Sequence, residues 1–256
     1  MWKVHICKIG RWEGIPGPEL FWMSDFGKEY EIGLNAVIAV NDSGEIVVVN
    51  TGPDINDLDR LNKLWAAGVS SRCHLAVEVP IEQHLARLGY SISDVGTVLV
   101  TPLQAYSVGR VPDFLNARIG ILRSGWEFFF STRYHPHPHD YPPNVIPPTV
   151  LQYLMYDAPE RLLLLDNHEE MAPGLTVRFT GAHHRASMGI SFQTKHGEVV
   201  VSDSAFVREN LVPGRLLGII ENMYEALEAN EWFRSVPYFV PLYDPTIAES
   251  YAGGIG

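Results

Sequence analysis

Apolar positions along this chain fall into short β-branched runs bounded by turn residues, with stretches at helical spacing between them. Residues 2–9 and 19–24 are apolar-rich and flank Gly14-Ile15-Pro16-Gly17-Pro18, which predicts two early strands joined by a turn. Ile32 to Val40 predicts a further strand. Asn41-Asp42-Ser43-Gly44 then supplies residues that tolerate left-handed backbone, so the run from Glu45 to Gly52 is expected to fold back as the second arm of a hairpin. Leu58, Leu61, Leu64 and Trp65 recur at helical spacing, predicting a helix over Asp54 to Ala67 capped by Asp54 or Asn56. A second helix is expected over Pro80 to Leu88, with proline at the first turn. The organising stretch follows. Val95 to Val100 is a continuous apolar run ending at Thr101-Pro102 and a polar loop to Gly109, the pattern of a buried strand that delivers side chains to a site. Downstream, Val111 to Ile121 is mixed, Val150 to Tyr156 reads as helix or loop, and Leu162 to Leu165 as strand. Strand ends of the kind found at Val100 are where α/β proteins do chemistry.

Composition narrows the partners. A chain of 256 residues with 46% hydrophobic and 11% aromatic content can bury a substantial core, as one large domain or two small ones. Its net charge of −11 repels phosphate backbones and anionic lipid, which weighs against nucleic acid and membrane surfaces. The N-terminal residues show no basic stretch followed by a long apolar one, and no run approaches the roughly 18 apolar residues of a membrane span. A cytoplasmic protein is therefore expected. Cys7 and Cys73 lie far apart with no metal-ligand spacing and are expected to be buried, reduced thiols.

Two aromatic or imidazole clusters stand out. Trp126-Glu127-Phe128-Phe129-Phe130 is read first as core or interface and second as an apolar wall for an acyl or ring-bearing substrate. Tyr134 to Pro143 places His135, His137 and His139 between prolines. The prolines favour polyproline II, in which residues two apart diverge, so a stiff surface or lid loop is expected ahead of pocket lining by His137 and ahead of metal ligation.

The organising stretch resembles the metal-binding segment of the metallo-β-lactamase superfamily, where a strand ends in Thr-His-x-His-x-Asp-His followed by a small residue and Gly. Here those ligand positions hold Pro102, Gln104, Tyr106 and Ser107. Asn50-Thr51-Gly52 resembles the family's Asp-Thr-Gly, with asparagine for the aspartate. Ala172-Pro173-Gly174, the strand after it and Thr180-Gly181-Ala182-His183 resemble the next block, with His183 at the ligand position. Val199 to Asp203 resembles the strand ending in the metal-bridging aspartate, and Val236 to Pro245 the terminal strand, with Leu242 and Tyr243 in place of its Gly-His. The block order is most similar to the acyl-homoserine-lactone lactonase branch.

The resemblance implies a single domain over 1–256 with a four-layer αββα sandwich and a site on the loops along one edge of two sheets. Of seven metal-ligand positions, His183 and Asp203 are kept and five are replaced, so the usual dizinc centre is not expected. No cofactor is expected unless a single atypical metal uses His183 and Asp203. The branch's activating tyrosine falls on Phe206. His183, Asp203, Tyr106, Tyr243 and Ser107 are the candidates for catalysis, with His183 as base, Asp203 orienting it, a tyrosine facing the oxyanion and Ser107 as a candidate nucleophile. Gln104, His184, Phe206 and His137 are the candidates for substrate contact. The leading expectation is a lactonase-like hydrolase acting on a small, partly apolar molecule. The alternative is a non-catalytic binding protein, or a subunit pairing with itself or a related chain.

Overall fold

The computed structural model describes residues 1–131 and 146–256. The His135-His137-His139 tract, and with it the assignment of His137 to the pocket, lies outside the described residues.

Among the described residues twelve strands form one continuous sheet in the order β12-β11-β10-β1-β2-β3-β5-β6-β7, with β4 also on β1 and β8-β9 also on β10. Their ranges are β1 Trp2–Pro16, β2 Glu29–Asn41, β3 Ile46–Val49, β4 His74–Val77, β5 Thr97–Leu99, β6 Arg118–Leu122, β7 Leu162–Leu165, β8 His168–Ala172, β9 Leu175–Phe179, β10 Met188–Thr194, β11 Gly197–Ser202 and β12 Tyr238–Pro241. Among the described residues the sheet divides into two halves, seven strands (β4-β1-β2-β3-β5-β6-β7) and five (β8 to β12), joined by the register pair of Trp2 with Thr194. Period-two alternation then covers both faces of the smaller half. Val199, Val201 and Val240 enter a core shared with the larger half, while Val200 and Phe239 pack beneath Ala229 and Phe233 of the helix Met223–Ser235. Helices outside and two strand layers inside give the expected α/β four-layer αββα arrangement.

The predicted helices form. Leu58–Gly68 buries Leu61 and Trp65 and is preceded by a single turn in which Asp54 accepts from the Asn56 N–H; Ile81–Arg87 buries Ile81 and Leu85. The early strand pair is corrected. One strand runs through Gly14 to Pro16, because its pairing with β2 shifts register between Trp12 and Ile15 and Gly14 takes φ +70° there. The turn-forming residues are absorbed as a bulge, and residues 17–20 form a short helix instead of a strand. The aromatic run 126–130 belongs to the helix Arg123–Phe130, with Trp126 and Phe129 buried. β3, β5, β6 and β7 run parallel, as do β11 and β12, so their C-terminal ends deliver loops 50–53, 100–109, 203–207 and 242–246 to one region.

Candidate active site

The loop after β5 is built from buried backbone. Asn50, at φ +62°, uses its side-chain amide on both groups of the Thr101 residue: Oδ1 accepts from Thr101 N–H at 2.9 Å and Nδ2 donates to Thr101 C=O at 2.7 Å. Thr51 N–H and Oγ1 both donate to the Ser107 carbonyl, at 2.8 and 3.0 Å. Between these two anchors Gln104 leads into a buried turn of helix, Ala105–Val108. Gly109 closes it against the Pro53–Asp54 backbone, where an added Cβ would sit 2.2 Å from Asp54 N.

Asp203, at the end of β11, is fully buried. Its Oδ1 accepts from Thr101 Oγ1 and its Oδ2 from Ser187 Oγ, so the carboxyl ties the loop after β5 to the start of β10. Burial raises its pKa from 3.8 to about 6, opposed by the hydrogen bonds from Ser187 and Thr101. Tyr243 lies beside it, its hydroxyl and the Ser107 hydroxyl both buried without a hydrogen-bond partner of good geometry among the described residues. Desolvation, then the Tyr106 and Asp203 charges, raises the Tyr243 pKa well above the phenol value and keeps it protonated.

Above this buried layer is a cavity of about 130 Å³. Its walls are the rings of Trp12, Trp65, Tyr106 and Phe206 with Ile15, Ile32, Val69, Ile219 and Ile220, and its polar lining is Gln104, His183, His184, Glu19, Glu221 and the Cys73 thiol. Trp12, Trp65 and Tyr106 are mutually inclined at 55 to 70°, with centroids 4.3 to 5.9 Å apart, and Trp12 Nε1–H donates to Cys73 Sγ at 3.0 Å. His183 packs edge-on to Phe206, and its Nδ1 lies 2.9 Å from the Ile219 carbonyl. A carbonyl only accepts, so Nδ1 carries the proton and Nε2 is the basic nitrogen. His184 stacks on Phe129 at 4.4 Å, and its Nε2 is 2.9 Å from Gln104 Nε2.

Gln104, Tyr106, His183, His184 and Phe206 are thus gathered in one pocket, as expected for them, whereas Asp203, Ser107 and Tyr243 lie in the layer beneath and are not among its lining residues. The relay of Ser107, His183 and Asp203 is not brought together: Asp203 is taken by two hydroxyls, and the Ile219 carbonyl orients His183 in its place. Trp12, Trp65 and the Ile219 carbonyl were not anticipated. Trp65 carried a helix-face signal, but a backbone acceptor carries none.

No protein-family model and no curated protein matches the chain. Solved structures do. An N-acyl homoserine lactone hydrolase with N-hexanoyl-L-homoserine bound at its catalytic metal centre is 15% identical, covering 99% of this chain and 98% of that one at a TM-score of 0.75. A probable metal-dependent hydrolase from Staphylococcus aureus is 14% identical over 95% and 89%, TM-score 0.73, and a hydrolase of the β-lactamase superfamily 16% over 96% and 88%, TM-score 0.66. The chain has the metallo-β-lactamase fold.

That fold implies metal ions at the end of β5, and the donor set found there does not fit a pair of them. Among the described residues no group of three or more His, Cys, Asp or Glu side chains is placed to hold a metal. Pro102 offers no donor, Tyr106 and Tyr243 present aromatic rings at ligand positions of the metallo-β-lactamase pattern, and both Asp203 oxygens are occupied by hydroxyl donors. The helices and strands of the fold contain no helix long and apolar enough to cross a membrane, among the described residues.

Proposed function

We propose that this chain is a lactonase-like hydrolase that acts on a small, partly apolar lactone or ester by acid–base chemistry in the pocket around His183, without a dimetal centre. The observation that carries the reading is the orientation of His183: its Nδ1–H is spent on the Ile219 carbonyl, which commits Nε2 to act as the base beside an aromatic cavity. The cavity, about 130 Å³, is near the size of apolar cavities of about 150 Å³ that take up a single benzene-sized ring. In this reading His183 Nε2 takes a proton from water as it attacks the carbonyl carbon. Gln104 and Tyr106, which line the same cavity, would supply donors for the developing oxyanion. The imidazolium then returns the proton to the leaving alkoxide, which opens the lactone or releases the alcohol. Asp203 takes no part in proton transfer. It holds the floor, with Ser107 and Tyr243, against which the loop after β5 is set.

One observation favours a second reading, binding without turnover, alone or as the partner of a related chain or a second copy. Asp203, the one carboxylate this sequence keeps among the metal-ligand positions of the family pattern, is closed off by Thr101 and Ser187.

Chelator-dialysed protein assayed against a panel of γ- and δ-lactones and aryl esters tests the proposal, with Trp12 and Trp65 fluorescence reporting occupancy of the pocket. Turnover that survives dialysis and falls at least 100-fold in His183→Ala supports the hydrolase. Saturable quenching with no turnover supports the binding reading, and turnover that depends on added zinc or manganese sinks the acid–base one.

A further inference from the structure

The loop that carries His183 and His184 bends through two consecutive left-handed residues, Gly181 at φ +55° and Ala182 at φ +59°. That conformation is unfavourable for a residue with a Cβ, so Ala182 stays there only while its surroundings hold it. The start of the helix Met223–Ser235 does so. Ala182 N–H donates to Glu225 Oε2 at 3.0 Å, and its carbonyl accepts from Glu221 N–H at 2.7 Å and Asn222 N–H at 3.3 Å. Both hydrogen-bonding groups of this one residue are therefore bound by the same segment.

The same carboxylate holds the far end of the loop. Arg185 Nη1 donates to Glu225 Oε1 at 3.1 Å, Nη2 donates to Oε2, and Nε donates to Glu221. This fork of guanidinium on carboxylate is about three-quarters shielded from solvent, and the guanidinium carbon lies 5.4 Å from the centre of the Phe179 ring. Gly181 is pressed against both: a Cβ there would stand 2.0 Å from Glu225 Oε2 and 2.7 Å from the Phe179 ring. Residues 219–221 complete the arrangement, since Ile219 accepts from His183 while Ile219, Ile220 and Glu221 line the cavity. Asn222 caps the helix by accepting from Tyr224 N–H and Glu225 N–H, which fixes Glu225 in the first turn.

We propose that Arg185 and Glu225 are positioning residues: their ion pair, through the Ala182 amide, fixes the loop so that His183 meets the Ile219 carbonyl and presents a single tautomer to the pocket. The inference rests on the reading of His183 as the base. Removing Glu225 frees the Ala182 N–H and Arg185 together, lets Ala182 relax out of the left-handed region, and uncouples His183 from Ile219.

Imidazole ¹⁵N NMR tests this, with His183→Ala identifying the His183 signals, alongside melting temperatures and hydrolysis kinetics. Wild type is expected to show His183 as one tautomer protonated on Nδ1. Glu225→Ala should give mixed tautomers and a kcat lowered at least tenfold with KM within threefold. Glu225→Gln, which keeps an acceptor for the Ala182 N–H, should recover most of that loss. A Glu225→Ala protein that melts at lower temperature yet keeps the single Nδ1–H tautomer overturns the proposal. Should that variant not fold, Arg185→Ala carries the same comparison. A wild type that hydrolyses nothing removes the reading of His183 as a base, while the tautomer comparison still decides whether the ion pair positions it.

Discussion

The loop after β5 and the loop after β9 meet at one pocket, yet they are held by different chemistry. The first is locked by neutral, buried contacts: Asn50 on the Thr101 peptide groups, Thr51 on the Ser107 carbonyl, and Gly109 against the Asp54 backbone. The second is locked by charge, through Arg185, Glu221 and Glu225 at largely shielded positions. Pro102, Gln104, Tyr106 and Ser107 give the first loop rings, an amide and a hydroxyl that fill space. The second loop carries His183 within a network of charges. Closed floor and charged frame divide the work of one site between packing and positioning.

Asp203 is the link between the two, so its removal is expected to have the largest effect. Asp203→Ala leaves Thr101 and Ser187 hydroxyls buried without their acceptor and should cost about 4 kcal/mol in urea unfolding at pH 5. If the cost is below about 1 kcal/mol, the two loops are not joined through this carboxyl. The next largest effect is in the pH dependence. Burial raises the Asp203 carboxyl from 3.8 to about 6, so between those values the folded chain holds a proton that the unfolded chain has released. Its contribution to stability is present in full below about pH 4 and is lost as pH climbs through about 6, by about 3 kcal/mol at most. The difference in unfolding free energy between wild type and Asp203→Asn, followed from pH 4 to 7, should show this slope.

Two glycines separate the loops more finely. Gly109→Ala drives a Cβ into main chain that cannot yield and is expected to lose about 2 to 3 kcal/mol, with folded protein that still turns over. Gly181→Ala adds a Cβ to a left-handed residue, against the Phe179 ring and the held Glu225 carboxylate, and is expected to lose about 2 kcal/mol in stability but more than tenfold in kcat, because the atom it displaces is Glu225 Oε2. Calorimetry and kinetics on the pair sharpen the comparison, and equal kinetic losses would break it. The smallest effect belongs to Tyr243→Phe, which deletes a buried hydroxyl with no well-formed hydrogen bond and should change stability by less than about 0.5 kcal/mol.

Much of this was legible from residue order. The β-branched runs gave β2, β3 and β5, the leucine spacing gave the helix at 58–68, and the family pattern gave β11 and picked out five side chains that line the pocket. β1 was not, because Gly14 and Pro16 are turn residues that a long strand can also accept at a bulge. The partners of His183 and Asp203 were not either. A backbone carbonyl at Ile219 and hydroxyls at Thr101 and Ser187 acquire their roles from contacts made across 16 to 102 positions of sequence, and local pattern holds no trace of them.

Asn50 shows what one exchange of oxygen for NH₂ does to such a seam. An aspartate at that position has two acceptors and can address only the N–H of residue 101; the asparagine addresses its C=O as well. Strand β5 ends at Leu99, but the amide of Asn50 mimics the next rung of the ladder and carries the sheet's pairing around the corner into the loop. The corner of this site is thereby written in the grammar of a β-sheet.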